Sequence, residues 1–241
     1  MLPTIHIGPL VIQVPGLLLL FGLWLGMSLA EKHSTRHGIQ ANHVYSFTIA
    51  TLLCAAVSAR LIYVIRNLDN FLNSPASIVS LNPGLLDPFG ALLGSSLVLI
   101  IFSRRNKYNL WALLDALAPI LAVLMITISL ANLASGKGYG YPTRLPWAIP
   151  LFGASRHPTQ IYELIAAGIV LAVLWPGNRR VQFQRTGVYA LCVIAATAGC
   201  RLIFEAFRAD SDLITGGLRS MQVSAWLVLA VSLWLISRRV R

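Results

Sequence analysis

From Val11 onward the chain is a series of long apolar runs, each closed by a short polar stretch. A bilayer-crossing helix needs ~20 such residues, and seven segments qualify. They cover Val11 to Ala30, Val44 to Ile65, Gly84 to Phe102, Leu110 to Ala134, Thr159 to Pro176, Gly187 to Phe207 and Met221 to Ser237. The third becomes strongly apolar only from Phe89, and the longest connection is the loop over residues 135–158. The pattern predicts an all-α integral membrane protein of about seven transmembrane helices, with residues 1–241 forming one membrane domain. No repeat with a period of ~20–50 residues is visible. The first residues, Met1 to His6, lack the basic stretch that opens a secretory signal, so the first run is expected to stay as a membrane helix.

Composition agrees with this reading. Of 241 residues, 56% are hydrophobic and only 11% charged. A soluble domain carries about a quarter charged residues, so too few are present to cover a water-facing surface. The net charge of +11 raises nucleic acid as a partner. However, Lys and Arg punctuate the apolar runs rather than striping one face, and no basic cluster is interleaved with aromatics, so no nucleic-acid partner is expected. Cys54, Cys192 and Cys200 all lie inside apolar runs without metal-ligand spacing. They are expected to be small buried hydrophobes rather than a disulfide framework or a metal site.

Cytoplasmic loops are enriched in Lys and Arg, which gives the spans a direction. One set of alternate loops, with the C-terminal tail, holds eleven basic residues, among them Lys32, Arg104, Arg105, Arg179, Arg180 and Arg238. The opposite set holds six: Arg66, Lys137, Arg144, Arg156, Arg208 and Arg219. The bias predicts the N-terminus outside and the C-terminus in the cytoplasm.

A charge within a span costs at least ~2.5 kcal/mol on insertion scales, so each needs a reason. With that orientation, Arg60, Asp87, Asn132, Gln160, Tyr162, Glu163, Arg201 and Glu205 fall in the outer half of five different helices. Asp115 alone lies at the other end. Two readings of the cluster stay open: interhelical ion pairs of Arg60 or Arg201 with Glu163 or Glu205 that only hold helices together, and a polar cavity opening outward. Arg201, Glu205 and Arg208 follow i, i+4, i+7 spacing and are expected on one helix face. There Glu205 would orient Arg201, and a guanidinium fork suits a phosphate. In the outer loop, Gly136, Gly138 and Gly140 form a glycine-rich turn that lets backbone amides approach an anion. Pro158 is placed to start the next helix.

Arg156-His157-Pro158-Thr159-Gln160-Ile161-Tyr162-Glu163 resembles the R-H-P-S-Q-L-Y-E motif of the bacterial prolipoprotein diacylglyceryl transferase family. Cys200 to Arg208 is similar to that family's F-R-x-x-x-E-F-F-R segment, and Ala59-Arg60-Leu61-Ile62-Tyr63 to its G-R-x-G-Y segment. The likeness covers nearly the whole chain. It implies a multi-pass protein of the bacterial cytoplasmic membrane that transfers diacylglyceryl from phosphatidylglycerol to the cysteine thiol of a lipoprotein precursor. The implied partners are that phospholipid and lipoprotein precursors or other membrane proteins, and no metal or organic cofactor is implied. The implied catalytic residues are Arg201, Glu205, Asn132 and His157. Arg60, Tyr63, Gly140, Lys137, Gln160, Tyr162, Glu163 and Arg208 are implied to bind substrate.

The resemblance has gaps. The family's G-R-x-G-N-x-x-N-G-E-x-x-G signature reads here from Ile128 to Gly140, with Ser129 in place of its arginine and Lys137 in place of its glutamate. The histidine of its F-H-G-G segment is Phe89, and a first-helix tyrosine is Pro15. An active, divergent transferase and a relative that binds lipid or lipoprotein without catalysis both remain open at this point.

Overall fold

The computed structural model describes residues 4–7, 10–72, 85–178, 183, 185–214 and 217–240. An antiparallel hairpin, β1 (Thr4–Ile7) and β2 (Leu10–Gln13), precedes α1 (Val14–Ser34). A 3-10 turn over Thr35–His37 leads to α2 (Ala41–Arg66), followed by the short α3 (Leu68–Leu72), then α4 (Pro88–Arg105) and α5 (Leu110–Ser135). A second hairpin, β3 (Ile149–Leu151) and β4 (Ala154–Arg156), lies in the long loop before α6 (Thr159–Val173). The chain closes with α7 (Val188–Glu205) and α8 (Ser220–Val240).

Six of these helices, α1, α2, α4, α5, α7 and α8, are long and apolar enough to cross a membrane. The fifth expected span is shorter than the sequence pattern indicates. At 15 residues α6 reaches about 22 Å, less than the ~30 Å apolar core of a bilayer. Pro176 brings about this early end, because it cannot continue a helix and disfavours helical backbone in the residue before it. The first span also begins later than expected. Val11 belongs to β2, and helix starts at Val14 with Pro15 in its first turn, where a missing N–H costs nothing. Residue 84, the expected start of the third span, lies outside the described residues, and helix there begins at Pro88, capped by Asp87 Oδ1 accepting from the Gly90 amide at 2.9 Å.

The central helix is α5, which packs against α1, α6 and α7. Pairs α2–α4 and α7–α8 flank it. Helices in lipid approach closely through small residues, and Gly94 does so here: a Cβ at that position would lie 2.7 Å from the Cys54 carbonyl oxygen of α2. Large apolar side chains such as Leu20, Phe21, Leu53, Leu92, Trp226 and Trp234 point outward on α1, α2, α4 and α8. That surface suits lipid.

Asp115, the acid that stands apart in the sequence, has a structural role. Its side chain is 2% exposed. Oδ2 accepts from the Gly187 amide at 2.5 Å and Oδ1 from the Ala190 amide at 2.8 Å. These are orphan donors at the start of α7, so a residue of α5 caps a neighbouring helix. Arg239 of α8 stacks on Trp111 at 3.7 Å and donates to the Thr186 carbonyl at 2.6 Å, closing the same end. Replacing Asp115 with Ala should therefore lower stability by about 2 kcal/mol. The check is the thermal unfolding midpoint of the purified protein in detergent, and an unchanged midpoint would contradict this account of the cap.

Candidate functional site

The far end of α7 carries the site. Arg201 and Glu205, one turn apart, face each other with Nε and Oε2 3.0 Å apart. Glu205 is 1% exposed. Its Oε1 accepts from Ser211 at 2.6 Å, while its Oε2 stands in ion-pair contact without the alignment of a hydrogen bond. From the start of α6, Glu163 Oε1 lies 3.3 Å from Arg201 Nη1 and 3.6 Å from Arg208 Nη1. Arg201 is thus gripped by carboxylates from two helices.

Arg208 departs from the expected geometry. The helix ends at Glu205, so Arg208 is not on its face. The chain instead turns to pair with the glycine-rich loop: Gly140 bridges Arg208, the Tyr141 amide donates to Phe207, and the Ala209 amide donates to Tyr139. Even so, Arg208 Nε stays 3.9 Å from Glu205 Oε2. Asp210 holds Arg208 through Nε at 3.1 Å and Nη2 at 3.3 Å. Burial alone would lower the Arg208 pKa, but the hydrogen bond to Asp210 and the charges of Asp210, Glu163 and Glu205 outweigh it and raise the pKa above the usual value. The guanidinium is permanently charged.

The glycine-rich turn is anchored to this cluster by its backbone. The Gly138 amide donates to Asp210 Oδ2 at 2.6 Å, its carbonyl accepts from the Thr159 hydroxyl, and Gln160 Nε2 donates to the Lys137 carbonyl at 2.9 Å. Gln160 is 1% exposed, and its Oε1 has no hydrogen-bond partner among the described residues. Gly140 must be glycine, since a Cβ there would lie 2.5 Å from the His157 Cβ and 2.6 Å from its carbonyl oxygen. His157 sits beside Phe207, and its Nδ1 is 3.4 Å from the Tyr162 hydroxyl. That hydroxyl also accepts from Trp147 Nε1 at 2.7 Å. Arg156 donates to the Leu151 carbonyl and lies over the Tyr139 ring.

Next to the ion cluster is a cavity of about 330 Å³ between α5, α6, α7 and α8. Arg201 and Glu163 supply its charge, and Ser129, Thr197 and Ser224 its hydroxyls. The remaining wall is largely apolar, from Met125 and Ile128 to Met221 and Val228. An arginine beside an apolar cavity can hold the anionic head of an amphiphile whose chain lies in the cavity.

Other expected site residues are placed differently. Asn132 is half-buried on α5, and among the described residues its side chain makes no hydrogen bond or ion pair. Lys137 is exposed, and only its backbone contributes to the turn. Arg60 and Tyr63 form a second group on α2, where Arg60 donates to the Leu85 carbonyl at 2.9 Å and both pack near Phe71 of α3. Phe89 is exposed on α4. Asp210, Ser211 and Arg219 carry no mark of a site role in the sequence, because nothing in their spacing signals contacts made across loops, and Thr159 stands out only as a member of the Arg156–Glu163 motif.

The sequence matches the prolipoprotein diacylglyceryl transferase family over residues 3–238. The chain belongs to this family. Among its relatives, the phosphatidylglycerol–prolipoprotein diacylglyceryl transferase of Rhizobium meliloti (strain 1021) is 31% identical, the match covering 96% of this chain and 89% of the relative. The proteins of the same name from Gloeobacter violaceus and Synechococcus elongatus are 33% and 30% identical, covering 96% and 95% of this chain and 94% and 84% of theirs. With its apolar helices, this member of the transferase family is a multi-pass protein of the bacterial inner membrane.

Breaking a buried pair by removing one partner costs roughly 3–5 kcal/mol. Glu163→Ala leaves Arg201 with Glu205 and Arg208 with Asp210, so the loss should fall below that range, at about 2 kcal/mol. Denaturant unfolding in detergent checks this, and a loss below about 1 kcal/mol would show the pairing to be dispensable.

Proposed function

We propose that this chain transfers the diacylglyceryl group of phosphatidylglycerol to the cysteine thiol of a lipoprotein precursor. The observation that carries the reading is Arg201, held by Glu205 and Glu163 at the wall of an apolar cavity, in a chain of the prolipoprotein diacylglyceryl transferase family. In the reaction the thiolate sulfur forms a bond to the glycerol carbon that bears the phosphate. The carbon–oxygen bond breaks, its electron pair leaves with glycerol phosphate, and the thiol proton passes to a base.

Arg201 binds the phosphate and stabilises charge on the departing oxygen, while Glu205 and Glu163 fix its direction. Arg208 and Gln160 hold the glycine-rich turn, with Gly140 at its tightest point, against the site. His157, beside Tyr162, accepts the thiol proton in place of the histidine that Phe89 replaces. Lys137 adds positive charge at the rim. Asn132, Arg60 and Tyr63 contact substrate from the neighbouring helices. No observation favours the lipid-binding relative without catalysis.

Complementation of a strain depleted of its own transferase tests the reading, with the mass of a lipoprotein cysteine as the readout. The expected outcome is a cysteine carrying diacylglyceryl, and clear expression without modification would overturn the proposal. In the same assay Arg201→Ala should reduce transfer by about 10²-fold or more. The double variant Lys137→Ala/His157→Ala should lose at least about 10-fold; full activity would remove both residues from the mechanism.

The site is proposed to open outside the cytoplasmic membrane, with the N-terminus outside and the C-terminus inside. In a background without the three native cysteines, Ser155→Cys should react with a membrane-impermeant maleimide on intact spheroplasts, and Lys107→Cys only after lysis. The reverse pattern would invert the orientation.

A further inference from the structure

Around Arg201 the carboxylates outnumber the arginines. Glu163, Glu205 and Asp210 stand within 4 Å of Arg201 or Arg208, three negative charges against two positive. Such a set repels an anionic phosphodiester. A binding site for that group needs at least one further cation close by.

Arg219 is placed to be that cation. Its backbone pairs with Leu213, and its carbonyl accepts from the Gln222 and Val223 amides as α8 begins. Its side chain reaches back to the end of α7, where Nη1 donates to the Glu205 carbonyl and the guanidinium lies 5.3 Å from the centre of the Tyr141 ring. Half-buried, the guanidinium has no other hydrogen-bond partner among the described residues, which leaves Nε and Nη2 open. Two residues further on, Met221 lines the cavity that Arg201 also lines.

The geometry points to Arg219 as the second phosphate-binding cation, sharing the lipid's phosphodiester with Arg201 where the α5–α8 cavity meets the outer loop. The inference rests on the transferase reading for the identity of its ligand. A residue serving only to end α7 needs one donor for the Glu205 carbonyl. A phosphate-binding residue needs its charge as well.

Three variants separate these roles: Arg219→Ala removes donor and charge, Arg219→Gln keeps a donor, and Arg219→Lys keeps the charge. Binding of short-chain phosphatidylglycerol to the purified full-length protein in neutral detergent is measured by titration calorimetry, alongside transfer to a lipoprotein-precursor peptide. The Ala and Gln variants should bind phosphatidylglycerol about 10-fold more weakly and show a KM for the lipid raised by about the same factor. For both, kcat/KM for the lipid should fall by at least that factor. The Lys variant should recover binding to within about threefold of the parent. Parental binding by Arg219→Gln would overturn the inference, because a cap alone would then account for the residue, and so would a fall in kcat with KM unchanged. If Arg219→Ala fails to fold, the Gln and Lys variants decide. A parent protein that binds phosphatidylglycerol but transfers nothing defeats the transferase reading alone, whereas one that transfers while Arg219→Gln binds normally defeats this inference alone.

Discussion

Arginine and glutamate lie within a membrane helix at low cost only when each finds a partner for its charge. Arg201 and Glu205 meet that requirement locally, one turn apart, and Glu163 then draws in both Arg201 and Arg208 from a second helix. An unpaired charge at such depth costs several kcal/mol, so these groups act as a unit rather than as separate contacts. Through Arg208 and Asp210 the unit extends to the Gly138 amide, and the loop over residues 135–158 is thereby tied to the helices. The position of the loop follows from the pairing of the charges.

α7 is held by polar contacts at both ends. At its start, Asp115 of α5 supplies the acceptors that its first amides need. At its finish, Arg219 takes the Glu205 carbonyl, and the chain pairs with Gly140. Small buried side chains between, among them Ala190, Val193, Ala195 and Ala198, let the helix pack closely against its neighbours. A rigid helix suits a guanidinium that must meet developing charge with little reorganisation.

The gaps in the family motif acquire meaning from their surroundings. Ser129 bonds back to the Met125 carbonyl and leaves the cavity wall small where a longer side chain would intrude. Phe89 turns its ring outward on α4. Pro15 occupies the first turn of α1, where its lack of an amide is harmless. The imidazole near the site comes from His157, which packs among Tyr162 and Phe207.

Sequence alone determined the apolar helices, because lipid demands long uninterrupted runs and each run is a local property. It also determined the Arg201–Glu205 pair, since helical spacing brings those side chains together whatever surrounds them. The family motifs pointed to Glu163, which the fold brings to that pair, and to Gln160, His157 and Gly140, which it gathers around the glycine-rich turn. Tertiary structure decided the rest: where α7 stops, why α6 is short, which acid caps which helix, and that Asp210 and Arg219 join the cluster. Those outcomes depend on buried amides, carbonyls and charges finding partners far away in the chain. Hydrophobic periodicity carries no information about such partners, because it records which side of an element is apolar and not what the other side meets.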